Sequence, residues 1–515
     1  MNRTVFLNAN VIPIGKSSYS GGLVVEGNRI VHMGSDEDVM EYAGGRSMTV
    51  DLQGKTLLPG FIESHMHPFS LILSKLTLNL ADLGSLSEVL DAVKGASRDL
   101  EPGKWLMGRG WDDNLFKDVK RFPTKEELDR QASRNPALLI RVCGHAAVVN
   151  SKALEYFAPR MDTSAIGNGV LKETVLGEAL HVMPRPPMDR MVEHAAAVFH
   201  DMFSAGLTTM TDMNGSADNI RLYQKIRDRM DFPFKIRMYM MPAYLNDMVH
   251  MGIQKGFGGD PVKIMGLKIL SDGSLGARTA NLQAPYSDDA GNRGILNYSF
   301  EEVHEMVRKA SENNLQVAVH AIGDAAASVS VDAFAGLGEA GKLRPRLEHC
   351  QILSREVIDK MRDVGVIASV QPVFASYDYP WVEERIGKDR LEYAYAWRSL
   401  RDSGVRLCAG SDAPIYPYEP LLGIWSAASR QGIRKPGVFR EAQRLEVMDA
   451  LKMYTIDAAY SLFEENETGS LEVGKRADLV VLASDPTTAA TDDIRKIKVE
   501  LTILDGEVVF DALTP

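Results

Sequence analysis

The chain has 515 residues and a formal net charge of −11, which argues against nucleic acid as its main partner, because a polyanion is held by a basic surface. Hydrophobic residues make up 45 % and charged residues 25 %, an ordinary balance for a water-soluble protein, and no apolar run is long enough to suggest a membrane span. A small-molecule partner is therefore expected, with a homodimer left open.

Three cysteines, Cys143, Cys350 and Cys408, are too few for a disulfide framework, and residues 1–22 lack the apolar core and cleavage site of a secretory signal. The expected compartment is a reducing cytoplasm.

From the N-terminus, TVFLNANVI, GGLVVEGNRIVHMG and MTVDLQGKTLLPG are short apolar runs bounded by Gly, Asn and Asp, the pattern of antiparallel strands. GSLEVGKRADLVVLASDP and VELTILDGEVVF near the C-terminus have the same texture. Residues 1–59 and 465–515 are expected to pair into one small sheet domain, since chain termini often lie close together.

Between them, over residues 60–464, eight strand-like runs alternate with helical stretches. In order they are LLPGFIESHMH, TTMTDM, KIRMYMM, VKIMGLKILSDG, LQVAVHAIGD, PRLEHCQ, GVIASVQP and VRLCAGSDAP. Eight strands with intervening helices predict a closed (β/α)8 barrel of the α/β class, whose chemistry gathers at the strands' C-terminal ends. About 140 residues separate His67 from Leu207, far too many for one βα connection. Residues of about 75–190 are expected to form an inserted subdomain, with PALLIRVCGHAAVVN as a strand of its own.

GFIESHMHPF sets His65 and His67 on one face of the first strand, where two imidazoles share one ion. His320 ends VAVHAIGD, His349 ends RLEHC and Asp412 ends LCAGSD. Four histidines and an aspartate at barrel-strand ends predict a metal site at the mouth.

LLPGFIESHMHPF, VHAIGD, EH, GSDAP and GSLEVGKRADLVVL together resemble the amidohydrolase superfamily. GRGWDDN, GHAAVVN, NGVLKE and DGSLGARTANLQAPY are similar to its N-substituted formamide deformylase-like (YtcJ-like) branch. The resemblance implies a distorted barrel with a β-sandwich made from both termini and one or two divalent ions, zinc foremost. His65, His67 and Asp412 would hold the first ion, His320 and His349 the second. A CO2-derived carbamate on Lys268 would bridge the pair, with Glu173 as the alternative ligand and a Lys268–Asp272 ion pair as the plain structural alternative.

The activity so implied is attack of metal-activated hydroxide on the carbonyl of a linear amide-type C–N bond, an N-formyl or N-acyl amine, with Asp412 as general acid and base. A cyclic amide, a carbamate or an ester is the nearest alternative, and a non-catalytic binding protein on the same scaffold the distant one. His145 is the candidate donor to the oxyanion or to substrate, Trp111 and Asp112 candidate pocket walls, and Arg278 a candidate partner for an anionic substrate group. Asp324 would orient His320.

Overall fold

The computed structural model describes residues 3–513 except 46, 82, 165, 167, 338 and 339. Eight parallel strands run side by side in chain order: β1 (Phe61–Met66), β2 (Leu207–Gly215), β3 (Ile236–Met240), β4 (Val262–Leu270), β5 (Gln316–Ala321), β6 (Arg346–His349), β7 (Ile367–Val370) and β8 (Leu407–Ala409). They stand where the eight apolar runs placed them. Because helices cover the outside and side chains fill the inside, these strands are apolar on both faces and read as nearly continuous runs such as IRMYM.

The ring closes just beyond β8. The Asp412 N–H donates to the His65 carbonyl at 2.7 Å, and the His67 N–H donates to the Ala413 carbonyl at 2.8 Å. Glycines permit close contacts at two places in the ring. A Cβ on Gly266 would stand 1.8 Å from the Gln316 carbonyl oxygen between β4 and β5, and one on Gly410 would stand 2.4 Å from Glu63 Oε1 and 2.5 Å from the His65 nitrogen. Gly410 is thus what lets the GSD turn lie against β1.

The termini share one eight-stranded sheet, in which Leu479–Leu482 pairs antiparallel with Thr56–Pro59 from Leu479↔Pro59 to Leu482↔Thr56. The sheet curls around Phe6, Leu23, Leu57, Leu479 and Ile503. Thr56–Pro59 passes through Gly60 directly into β1, so this sheet anchors the strand that carries His65.

Between β1 and β2 lies a second, five-stranded sheet in the order Val170–Lys172, Ala146–Val149, Ala137–Arg141, Leu106–Trp111, Leu78–Asn79. Here PALLIRVCGHAAVVN is not one strand. It folds back as a hairpin pairing Ala147 with Ile140, because Gly144 takes φ 76°, a left-handed turn that glycine reaches without penalty. The turn delivers Cys143 and His145 to the barrel mouth. No helix among the described residues is long and apolar enough to cross a membrane.

Candidate metal centre and active-site cleft

β1 and the GSD turn bring His65, His67 and Asp412 onto one point. Asp412 Oδ1 lies 2.8 Å from His67 Nε2 and 3.5 Å from His65 Nε2. From β6, the His349 ring stands 4.8 Å from that of His65 and 4.4 Å from that of His320, centroid to centroid. His65, His349 and Asp412 each offer a ligand atom, all within 4.8 Å of one another. His349 and Asp412 hold φ values of 76° and 59°, a conformation that costs a non-glycine residue about 1–3 kcal/mol and persists only where its surroundings impose it.

Fixed partners set each imidazole's tautomer. Glu348, wholly buried on β6, accepts from His65 Nδ1 at 2.6 Å, which leaves Nε2 as the acceptor facing Lys268 Nζ at 3.3 Å. Burial opposes ionisation of Glu348, but the Arg346 guanidinium and His65 outweigh it and hold the carboxyl well below the usual range. Arg346 donates to Glu348 Oε1 at 2.8 Å and to the Ser64 carbonyl at 2.7 Å. His349 Nδ1 donates to Gln371 Oε1 at 2.8 Å, and His320 Nε2 donates to the Gly273 carbonyl at 3.0 Å, with Asp272 Oδ1 3.3 Å away.

Asp324, expected to orient His320, does not reach it. Its Oδ1 accepts the Gln283 N–H at 2.9 Å and the Ala325 N–H at 3.1 Å at the start of a helix, and Asp272 takes the position beside the imidazole.

Burial is the largest influence on His65, lowering it to about 4, and it lowers Lys268 to about 8 against the pull of Glu348 and Asp412. For Asp412 burial works the other way, yet the hydrogen bond from His67 and the charges of His65 and Lys268 bring it to about 2. Lys268 makes no ion pair with Asp272, whose oxygens accept the backbone N–H groups of Ile322, Gly323 and Asn281. With His65 and His349 held low by burial and Asp412 ionised, the cluster offers uncharged imidazole nitrogens and a carboxylate, donors of the kind a divalent cation requires. Two buried atoms there, His67 Nδ1 and Glu173 Oε1, make no hydrogen bond, as ligand atoms facing an ion would not. The residues therefore fit a divalent metal.

Because the outer partner of a ligating histidine fixes its ring and basicity, Glu348→Gln is expected to weaken divalent-metal binding about 10–100-fold. Competition against a chelator measures this, and wild-type affinity in the variant would remove Glu348 from the account.

A cleft opens beside this cluster, lined by Asp112, Cys143, His145, Ser274, Phe374 and Asp378 together with His320 and Asp412. His145 Nδ1 donates to Glu173 Oε2 at 2.9 Å. Burial disfavours the imidazolium of His145, but the Glu173 carboxylate prevails and raises it to about 9.

Two candidate substrate contacts fall elsewhere. Trp111 is fully buried in the inserted subdomain, where Nε1 donates to the Leu139 carbonyl at 3.0 Å and the ring meets Phe122 edge-on. Arg278 pairs with Asp288 through Nη2 at 2.7 Å and is not among the residues lining the cleft. Asp112 does line the cleft, with Oδ1 2.5 Å from Arg141 Nη2. Sequence reasoning passed over Glu348, Arg346, Arg141 and Asp378. For Glu348 a signal existed, a carboxylate directly before a candidate ligand in RLEH.

The chain matches a model described as "Amidohydrolase family" over residues 48–510. It is 32 % identical to the "Putative amidohydrolase YtcJ" of Bacillus subtilis (strain 168), covering 95 % of each chain. It is 27 % identical to the "N-substituted formamide deformylase" of Arthrobacter pascens, covering 99 % of both. Among solved structures, an uncharacterized metal-dependent hydrolase from Pyrococcus horikoshii superposes with a TM-score of 0.80 at 28 % identity, covering 95 % of this chain and 99 % of that one.

Proposed function

The chain belongs to the amidohydrolase family, and from this premise we propose that it is a metal-dependent hydrolase of linear amide-type C–N bonds, N-formyl or N-acyl amines. The observation that carries the reading is the convergence of His65, His349 and Asp412 within 4.8 Å, with His67, His320 and Lys268 around them. The formamide deformylase relative supports the choice of bond. A cyclic amide, carbamate or ester would meet the same groups.

His65, His67 and Asp412 would hold one ion, and His320 and His349 a second, with zinc as the proposed metal. Lys268, lowered to about 8 by burial, would have enough free amine to take up CO2 as a carbamate ligand; Glu173, with one oxygen unpartnered, is the alternative. A divalent ion held by these residues would lower the pKa of water towards about 7 and polarise a carbonyl.

The remaining steps are the protein's. Asp412, ionised and hydrogen-bonded to His67 at 2.8 Å, accepts the proton of the attacking water and returns it to the departing nitrogen, which is a poor leaving group until protonated. His145, kept cationic by Glu173 and with its ring 5.3 Å from that of His320, donates to the developing oxyanion from the cleft wall. His145→Ala is expected to lower kcat about 10²-fold, with a smaller change in KM, in steady-state assays. An unchanged kcat would limit His145 to shaping the loop.

The direct test is a panel of N-formyl and N-acyl amines assayed with protein carrying its own metal and after supplementation with Zn, Mn, Fe or Ni. Hydrolysis under none of these conditions would favour a binding protein on this scaffold. Electron density spanning two ions at Lys268 would establish the carbamate, and an ordinary ammonium would favour Glu173. The proposed compartment is the cytoplasm.

A further inference from the structure

The cleft's wall beyond the histidines has an unusual charge arrangement. Of the charged side chains lining it, Asp112 pairs with Arg141, Asp412 with His67, and His145 with Glu173. Asp378 is different. It is 3 % exposed, and its oxygens accept only neutral donors: the Tyr416 hydroxyl at 2.7 Å, the Tyr395 hydroxyl at 2.7 Å and the Gln351 amide at 3.3 Å. Among the described residues none forms an ion pair with it. Arg434 acts on it from farther off, 3.6 Å from Asp112 Oδ2, and Asp112 opposes that effect.

A carboxylate taken out of water without a cation is costly, since phenol and amide donors replace only part of its hydration. An apolar residue would fill the same place without that cost. The structure instead spends three polar side chains on keeping a carboxyl at the surface of the cleft. Burial accordingly pushes its pKa up to about 7, which a cation bound beside it would reverse. The neighbouring walls suit the same guest. Phe374, Tyr416 and Trp381 line the cleft, Phe374 and Tyr416 meeting at 4.8 Å, and aromatic faces attract ammonium groups.

We propose that Asp378 is a specificity-determining residue that binds a cationic nitrogen on the substrate, so that the preferred amides carry an ammonium group beyond the scissile C–N bond, as in a mono-N-acyl diamine. This deepens the hydrolase reading and rests on it.

The test compares two amides of equal length on the holoenzyme, mono-N-formyl diaminopentane and an N-formyl alkylamine ending in methyl. Wild type is expected to favour the ammonium-bearing amide in kcat/KM by at least tenfold, and Asp378→Asn to reduce that ratio by at least tenfold. A wild-type ratio near one, or a ratio unchanged in the variant, overturns the proposal. Hydrolysis of the neutral amide upholds the hydrolase reading whichever way the ratio falls.

Calorimetry with pentylamine, an ammonium at neutral pH, and pentan-1-ol, a neutral chain of the same length, provides a readout independent of turnover. Tighter binding of the amine by wild type supports the proposal even if the variant fails to fold or neither amide is cleaved, and equal binding overturns it.

Discussion

Asp412→Ala is expected to lower kcat/KM for any amide the enzyme hydrolyses by roughly 10³- to 10⁴-fold, the upper range for losing a group that moves protons in the transition state. The expectation follows from position. One oxygen, Oδ1, faces both His65 and His67, so a single carboxylate links the ligand pair of β1 to the reacting water. Its left-handed φ of 59° and the hydrogen bond from its own N–H to the His65 carbonyl keep it there. Asp412→Asn preserves the shape and removes the basicity, so it should retain more metal than the alanine variant while staying nearly as inactive. Rates within threefold of wild type in both variants would exclude Asp412 from proton transfer.

Asp478→Ala is expected to destabilise the fold by about 3–5 kcal/mol, the cost of leaving a buried charge without its partner. Lys235, immediately before β3, is 1 % exposed and donates to both Asp478 oxygens at 2.7 Å, with Asp505 Oδ1 3.0 Å away. Asp478 Oδ1 also accepts the Asp505 N–H at 3.0 Å, and the Asp478 carbonyl accepts the Gly60 N–H at 2.8 Å. The cluster thus joins the terminal sheet to the barrel at the residue preceding β1. Because Asp505 remains to compensate part of the charge, the lower end of the range is the better figure. Denaturant titration measures the loss, and adding Lys235→Met should recover part of it, since the stranded charge is then gone. A loss below about 0.5 kcal/mol in the single variant would refute this role.

The barrel was legible because its strands are buried on both faces and end in polar residues, a pattern local enough to read from ten residues at a time. The convergence of His65, His67, His320, His349 and Asp412 was legible for the same reason: a His or Asp at a strand's C-terminal end points into the mouth once the ring closes. What depended on distant partners was not. Lys235 and Asp478 lie 243 positions apart, so nothing local to KRAD announces the ion pair.

Asp324 was the expected neighbour of His320, but the loop after β4 sets Asp272 Oδ1 3.3 Å from the imidazole instead. Arg278 found Asp288 ten residues later within its own loop, and Trp111 satisfied its N–H on the adjacent strand, pairings that neither motif announces. Glu348 and His349 both serve the site although alternation would send them to opposite faces. The left-handed φ of 76° at His349 breaks the alternation, and no residue type in EHC signals it.

The central claim, that the convergent histidines and Asp412 form a metal centre, is tested most directly by elemental analysis of protein purified without added metal. One or two equivalents of a divalent ion are expected per chain, removed by a chelator together with amide hydrolysis and much reduced in His65→Ala. Protein that holds no divalent metal, takes none up when it is supplied, and behaves the same with His65 replaced would contradict the account.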